Sequence, residues 1–281
     1  MASRTFHDDP RTPEQIREHY EVERELADRL RRANRADREH LYSELYEELY
    51  RRIPHHGKLT QKATMDEASE VVERQLRWLR PSLRPTDTFL EVGAGDCLVT
   101  FAVSALVKRA IAVEVSETMA GHPNTPPNFE LILSDGVSIP VPEGSVDVVY
   151  SQQLMEHLHP DDALDQLRNI YTALRRGGRY FCVTPNRLTG PHDISRHFDE
   201  HATCFHLKEY TISELATLFR RVGFRRVSVY VSTRSAPKRL PVWPVRVLEA
   251  CLAPLPRSWR IRVARGIRPR ILFSFRLLGV K

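Results

Sequence analysis

The chain reads as an α/β protein: a mainly parallel sheet with helices on both faces. Three observations predict this. Residues 89–97, F-L-E-V-G-A-G-D-C, form an apolar run that ends in an acid and turns through two glycines into an amphipathic stretch, 97–107. Apolar strand-like runs then alternate with helical periodicities over some 140 residues, the pattern of strand–helix crossovers. The chain also has 281 residues and is 41% hydrophobic, enough for one large core with additions.

The strand–glycine-turn–helix unit is where such sheets place a nucleotide-like ligand. Gly93 and Gly95 permit a tight turn and a close backbone approach. A dinucleotide fingerprint wants a third small residue where Leu98 stands, and Glu91 suits a cationic group better than a pyrophosphate. Nicotinamide-dependent oxidoreduction is therefore disfavoured. The second strand, 110–115, carries Glu114 at its carboxyl end, near the spacing at which an acid meets ribose hydroxyls. The third, 129–133, is closed by Ser134-Asp135-Gly136. Each acid alone could equally be a helix cap or a solvated turn acid.

The fourth strand is 145–151 and the fifth 179–184, with a helix over 161–174 that Gly177-Gly178 would stop. A helix over 211–222 ends at Gly223, and a sixth strand spans 225–231. Ahead of the sheet, Thr12-Pro13-Glu14-Gln15 starts one helix. A second, about 36–52, carries Leu41, Tyr42, Leu45, Tyr46, Leu49 and Tyr50 at helical spacing. A third covers about 66–79, and residues 1–9 read as a disordered start.

In their order, acid-x-Gly-x-Gly, Glu114 and Asp135 resemble the motifs of class I S-adenosylmethionine-dependent methyltransferases. The resemblance implies a Rossmann-like sheet of seven strands, the last antiparallel and inserted beside the fifth; the run 271–280, I-L-F-S-F-R-L-L-G-V, takes that place. It divides the chain into a helical N-terminal extension (1–80), a core (81–231) with an acceptor loop (185–210), a basic helical insertion (232–270) and the final strand (271–281). It also implies S-adenosyl-L-methionine as cofactor and S-adenosyl-L-homocysteine as product. The cofactor would lie against Glu91, Gly93, Ala94, Gly95, Glu114, Val115, Asp135, Gly136, Ser151 and Gln152. Glu114 would hold the ribose, and Asp135 would face the adenine amino group.

The loops after strands four and five border that cleft. The first, S-Q-Q-L-M-E-H-L-H-P-D-D, brings Glu156, His157 and His159 beside the expected methyl donor. A hydroxyl acceptor must lose a proton as its oxygen attacks, and histidine, with an ordinary pKa of about 6.5, suits that task. His157 is the expected base and His159 the next candidate. The second loop, some 26 residues, holds four of the twelve histidines, and structureless loops beyond ~12–15 residues are usually functional or disordered. His192 and Asp193 are its candidates for holding sugar hydroxyls. His206-Leu207-Lys208-Glu209-Tyr210-Thr211 resembles a loop-bracing run of small-molecule methyltransferases, which makes His206 structural. Glu156, His157, His159, His192 and Asp193 are a donor mix suited to a divalent ion, and some sugar O-methyltransferases use one. Zinc spacings are lacking, and no metal is predicted.

From Tyr20 onward the chain resembles bacterial methyltransferases of polysaccharide, glycolipid and secondary-metabolite pathways. T-P-N-R-L-T-G-P-H-D-I-S is similar to mycobacterial and actinomycete sugar O-methyltransferases. The implied acceptor is a small-molecule hydroxyl, most readily a saccharide. From Arg234 to Lys281 ten arginines and two lysines face one acid, Glu249: a local +11 within a net +6. Such a stretch suits nucleic acid, an anionic membrane or an acidic substrate. Nucleic acid is disfavoured, because strand four lacks the Asn/Asp-Pro-Pro-aromatic run of base-amine methylation. Residues 234–270 instead suit peripheral contact with an anionic membrane. The four cysteines show no metal spacing, and the N-terminus lacks a signal peptide's apolar centre, so a cytoplasmic location is expected.

Overall fold

β1 (Thr88–Val92) is central, and its alternation decides both faces of the sheet. Leu90 and Val92 point into one apolar cluster, whereas Phe89 points into another. The computed structural model describes residues 10–56, 65–115, 125–231, 238–267 and 271–281. Among these lie β2 (Arg109–Glu114), β3 (Phe129–Leu133), β4 (Val146–Gln152), β5 (Leu174–Pro185), β6 (Arg226–Val231), β7 (Lys238–Pro241) and β8 (Ser274–Val280). They form one sheet in the order β3-β2-β1-β4-β5-β8-β6-β7. The pairs among β1 to β5 are parallel; β8 is antiparallel to both β5 and β6. This is a Rossmann-like mixed sheet.

Helices cover both faces. α1 (Pro13–Arg32), α2 (Arg35–Arg52), α5 (Pro160–Ala173) and α6 (Ile212–Val222) place Leu26, Leu45, Leu167 and Leu215 in the larger cluster. α3 (Met65–Leu79) and α4 (Leu98–Ser104) supply Leu76, Trp78, Val99 and Val103 to the other. α1 begins as its sequence predicts: Thr12 and Gln15 form a reciprocal capping box. α6 does the same with Thr211 and Glu214, and Gly223, at φ +124°, ends it.

The structure corrects three expectations. The described sheet has eight strands, because Lys238–Pro241 pairs with β6 at the edge. The described part of the insertion, 238–267, is therefore a strand followed by two helices, α7 (Val242–Leu252) and α8 (Arg257–Gly266). Gly177-Gly178 does not stop a helix: α5 ends at Ala173, and the pair lies within β5, whose Leu174 already pairs with Val146. Residues 1–9 and parts of the insertion (232–237 and 268–270) lie outside the described residues.

No helix among the described residues is long and apolar enough to cross a membrane. Glu249, the single acid of the basic region, is buried on α7 and accepts from Ile212 N at 2.8 Å and Ser213 N at 2.9 Å. It thereby satisfies two of the first amides of α6 and ties the insertion to the core.

Candidate active site

Strand order reverses at β1, with β2 on one side and β4 on the other, and open sheets of this kind hold ligands outside the carboxyl ends of the strands at such a point. Gly93 turns at φ +69° and its amide donates to Val113 O at 2.8 Å. A Cβ there would lie 2.9 Å from Leu154 Cδ1. Gly95 turns at φ +54°, and a Cβ there would meet nothing within 4 Å. The first glycine is demanded by packing and backbone; the second borders open space. Ala94 between them is buried with Cys97 and Ala112. The small cradle, with the Glu114 carboxylate at its edge, leaves room for a ligand to approach the backbone.

Glu114 ends β2 half-buried, and its carboxylate accepts from Gly95 N at 2.7 Å and Val115 N at 2.8 Å. It thus links the second strand to the glycine turn. Glu91 sits beneath that turn, bonded by the Thr100 hydroxyl. Burial pushes its carboxyl up to about 8 against the Thr100 bond, so it holds a proton at neutral pH. Asp135 is bound by Val137 N at 2.8 Å, Ser138 N at 2.6 Å and the Ser138 hydroxyl at 2.7 Å. Burial raises its pKa, but these donors outweigh that and leave it below the ordinary carboxylate value. Its side chain organises the turn after β3. Gly136, at φ +85°, lies under Val115 and Tyr42, with a would-be Cβ 3.3 Å from Val115 Cγ1 and 3.4 Å from Tyr42 Cδ2. The side chains of Ser151 and Gln152 turn to phenols: Ser151 Oγ lies 2.8 Å from Tyr180 OH, and Gln152 bonds Tyr150 OH. Ser151 is wholly buried, backbone included.

A denser cluster follows β4. Glu156 is fully buried; its Oε2 accepts from the Thr184 hydroxyl at 2.9 Å, and its Oε1 has no protein partner among the described residues. Burial pushes the carboxyl up to about 7, although His206 pulls the other way. His157 Nδ1 lies 3.1 Å from Phe205 O and 2.9 Å from Tyr46 OH. A carbonyl only accepts, so the network assigns the ring proton to Nδ1 and the lone pair to Nε2. His206 packs edge-on to His157 at 4.9 Å, and its Nδ1 is 2.7 Å from Glu209 Oε1. Burial opposes its charge, but Glu209 and Glu156 outweigh burial and raise its pKa. One donor atom from each of Glu156, His157 and His206 lies within 4.8 Å of the others, which is the set in this cleft that could hold a cation.

The remaining candidates serve local structure. His159 caps α5: its Nδ1 accepts from Asp161 N at 3.3 Å, and its backbone amide donates to Tyr42 OH at 2.9 Å. Burial lowers its pKa, which keeps the capping imidazole neutral. His192 bonds Asn186 O at 3.0 Å and Thr189 Oγ1 at 3.2 Å, and its amide donates to Glu209 at 2.7 Å. Asp193 caps the 3-10 turn Ile194–His197 and accepts from Ser195 N at 3.1 Å. The structure brings His157 and Glu156 together with His206, and holds His159, His192 and Asp193 in local hydrogen bonds of their own.

Several contributors carry no sequence signal. Tyr46 reaches His157 across 111 positions, and Arg38 reaches Asp162 across 124. The loop after β5 is held by α1: Tyr20 OH donates to Asp199 at 2.9 Å, Arg31 to Thr203 O at 2.6 Å and Cys204 O at 2.8 Å, and Phe205 N to Glu23 at 3.0 Å.

Comparison with known proteins follows this geometry. Residues 90–182 match the model of a methyltransferase domain. Over 141 residues the chain is 31% identical to a probable S-adenosylmethionine-dependent methyltransferase of Mycobacterium tuberculosis, covering 50% of this chain and 49% of that one. A second probable methyltransferase, from Mycolicibacterium smegmatis, is 29% identical over 136 residues, 48% of this chain and 51% of that one. The chain spans about half the length of the curated relatives it matches. A putative methyltransferase solved with a Haloferax volcanii methyltransferase activator superposes with a TM-score of 0.52 at 17% identity, over 77% of this chain and 94% of that one. At that identity the likeness is one of fold.

Proposed function

Starting from the class I S-adenosylmethionine-dependent methyltransferase domain at residues 90–182, we propose that the whole chain is an O-methyltransferase acting on a saccharide or glycoside hydroxyl. S-adenosylmethionine is the cofactor of this domain class, and S-adenosylhomocysteine its product. When bound, it supplies an already activated methyl group. The chain's own work is then to align the acceptor, exclude water and remove a proton; alignment alone can lower such a barrier by ~7–11 kcal/mol.

In this reading residues 1–80 form a cap, 81–231 the core, 185–210 the acceptor loop, 232–270 the insertion and 271–281 the closing strand. Gly93, Ala94 and Gly95 cradle the donor. Glu114 and Val115, with Asp135 and Gly136, hold its nucleoside end, and Ser151 and Gln152 back the far side. His157 is the base: Phe205 O holds its Nδ1 proton, so Nε2 receives the proton of the acceptor hydroxyl. Glu156 beside it, with its carboxyl near neutrality, is suited to pass that proton onward. His192 and Asp193 shape the acceptor loop; His159 supports the helix behind the base. Peripheral contact of 234–270 with an anionic membrane is a separate proposal that does not depend on the acceptor.

The observation that carries the proposal is the cluster of buried Glu156 and His206 with half-buried His157 beyond the carboxyl end of β4. A hydroxyl acceptor needs such a proton sink; a readily methylated amine lone pair does not. The test is S-adenosylhomocysteine release by the purified chain, with mass spectrometry of the acceptor, over saccharides, glycolipids and RNA. A methyl on a saccharide oxygen is expected. Transfer only to RNA, or only to nitrogen, overturns the reading.

A further inference from the structure

The basic insertion exposes apolar side chains where a closed domain would hide them. α7 is apolar on two faces. Val242, Val245 and Leu252 are buried against the core, while Trp243 and Val247, four positions apart on the opposite side, are 68% and 58% exposed. A helix apolar all round has a second surface to cover. α8 repeats the arrangement with Trp259 at 56% and Val263 at 36%, and Leu255 between the helices is also exposed. Exposed cations share these elements: Lys238 and Arg239 lie just before α7 and Arg262 and Arg265 on α8, with the Arg262 guanidinium 5.4 Å from the Trp259 ring. Among residues 238–267 the only acid is Glu249, which is buried and spent on the first amides of α6.

We propose that this face docks on an anionic lipid bilayer and presents the acceptor loop to it, so that the acceptor is a saccharide carried on a lipid. Tryptophan and valine entering the headgroup boundary, with arginine at the phosphate level and no exposed acid, is the chemistry of an interfacial helix pair. A second copy of the chain is a poor occupant, because a two-fold contact would set the same exposed cations against themselves. RNA would use the arginines but leave Val247, Leu255 and Val263 without a role. The patch also connects to the active site. Arg257 Nε donates to Gly190 O at 2.5 Å, and Leu188 packs with Leu252, Ala264 and Leu272, so α7 and α8 support the root of the acceptor loop. The lipid-linked acceptor rests on the saccharide reading above; the docking surface does not.

The test is co-sedimentation of the full chain with vesicles of phosphatidylcholine alone and of phosphatidylcholine mixed with phosphatidylglycerol. Calorimetry with S-adenosylhomocysteine is run on the same samples. Binding to the anionic vesicles alone is expected, reduced by salt and by at least ~10-fold in Trp243→Ser/Trp259→Ser, with S-adenosylhomocysteine affinity unchanged. Turnover of a saccharide on a long alkyl chain in those vesicles should exceed that of its soluble glycoside, and the double variant should lose only this preference. Absence of vesicle binding, equal binding by the variant, dimerisation through the tryptophans in ultracentrifugation, or RNA binding in place of vesicle binding each overturns the docking surface. Vesicle binding without any saccharide methylation would instead overturn the saccharide reading alone.

Discussion

Replacing Arg38 by methionine tests how the N-terminal helices are held to the core. Arg38 Nε and Nη2 donate to Asp162 at 2.6 and 2.7 Å, and Tyr42 OH adds a third bond at 2.7 Å. Both charged groups are buried, at 5% and 2% exposure. Methionine keeps much of the stem's packing but leaves the carboxylate buried with Tyr42 alone. Breaking a buried pair in this way costs about 3–5 kcal/mol, a large part of a typical total of ~5–15 kcal/mol. In the intact protein burial raises the Asp162 pKa, but Arg38 and Tyr42 outweigh it and hold it below the ordinary value. Its contribution is therefore present above the unfolded pKa, about 3.9, and is lost as pH falls through the folded value. Without Arg38, burial dominates and the folded pKa rises above the unfolded one. The variant then gains stability as Asp162 protonates. Urea unfolding followed by circular dichroism should give a deficit of ~3–5 kcal/mol near pH ~7 that shrinks towards ~1 kcal/mol near pH ~4. A neutral-pH deficit below ~1 kcal/mol, or one independent of pH, would refute the reasoning.

Three further outcomes follow from the site. Gly95→Ala places its Cβ in open space, so the fold should lose only the ~1–2 kcal/mol of a left-handed residue, while S-adenosylhomocysteine affinity in calorimetry falls at least ~10-fold, about 1.4 kcal/mol; wild-type affinity would remove the glycine turn from the donor site. His157→Ala should lower kcat by ~10²–10⁴ with donor affinity preserved, and full turnover across pH would move the base role elsewhere. Glu156 has its folded pKa raised to about 7 by burial, so its contribution is complete below the unfolded value near ~4.3 and lost as pH rises through about 7. Glu156→Gln should therefore stabilise the fold above neutrality by roughly 2–4 kcal/mol in thermal melts, with little change in mild acid; destabilisation in alkali would contradict the buried, protonated carboxyl.

The parts legible in the sequence are those written in local order. The glycine turn, Glu114, Asp135 and the strand at 274–280 each announce themselves by composition, and each lies where the sheet's own rules put it. β7 did not, because K-R-L-P is four residues long, exposed throughout and ends in proline at an edge. Gly177-Gly178 read as a helix stop because nothing local reveals that Leu174 pairs with Val146. The candidate histidines were visible as a group, but not their division of labour. Only packing separates His159, which turns its Nδ1 onto Asp161, from His157, which meets Tyr46 and Phe205. Tyr46 and Arg38 act more than a hundred positions away, where no spacing rule reaches. The exposed second face of α7 was hidden for the related reason that V-W-P-V-R-V-L-E-A-C-L has one apolar composition and two destinations.

Titration of the purified, folded chain with S-adenosylhomocysteine in a calorimeter bears most directly on the central claim, a donor pocket at the ends of β1, β2 and β3. One saturable site is predicted, weakened by Glu114→Ala and by Gly95→Ala and unaffected by Trp243→Ser/Trp259→Ser. No heat of binding from the folded protein, or a site indifferent to Glu114 and Gly95, would contradict it.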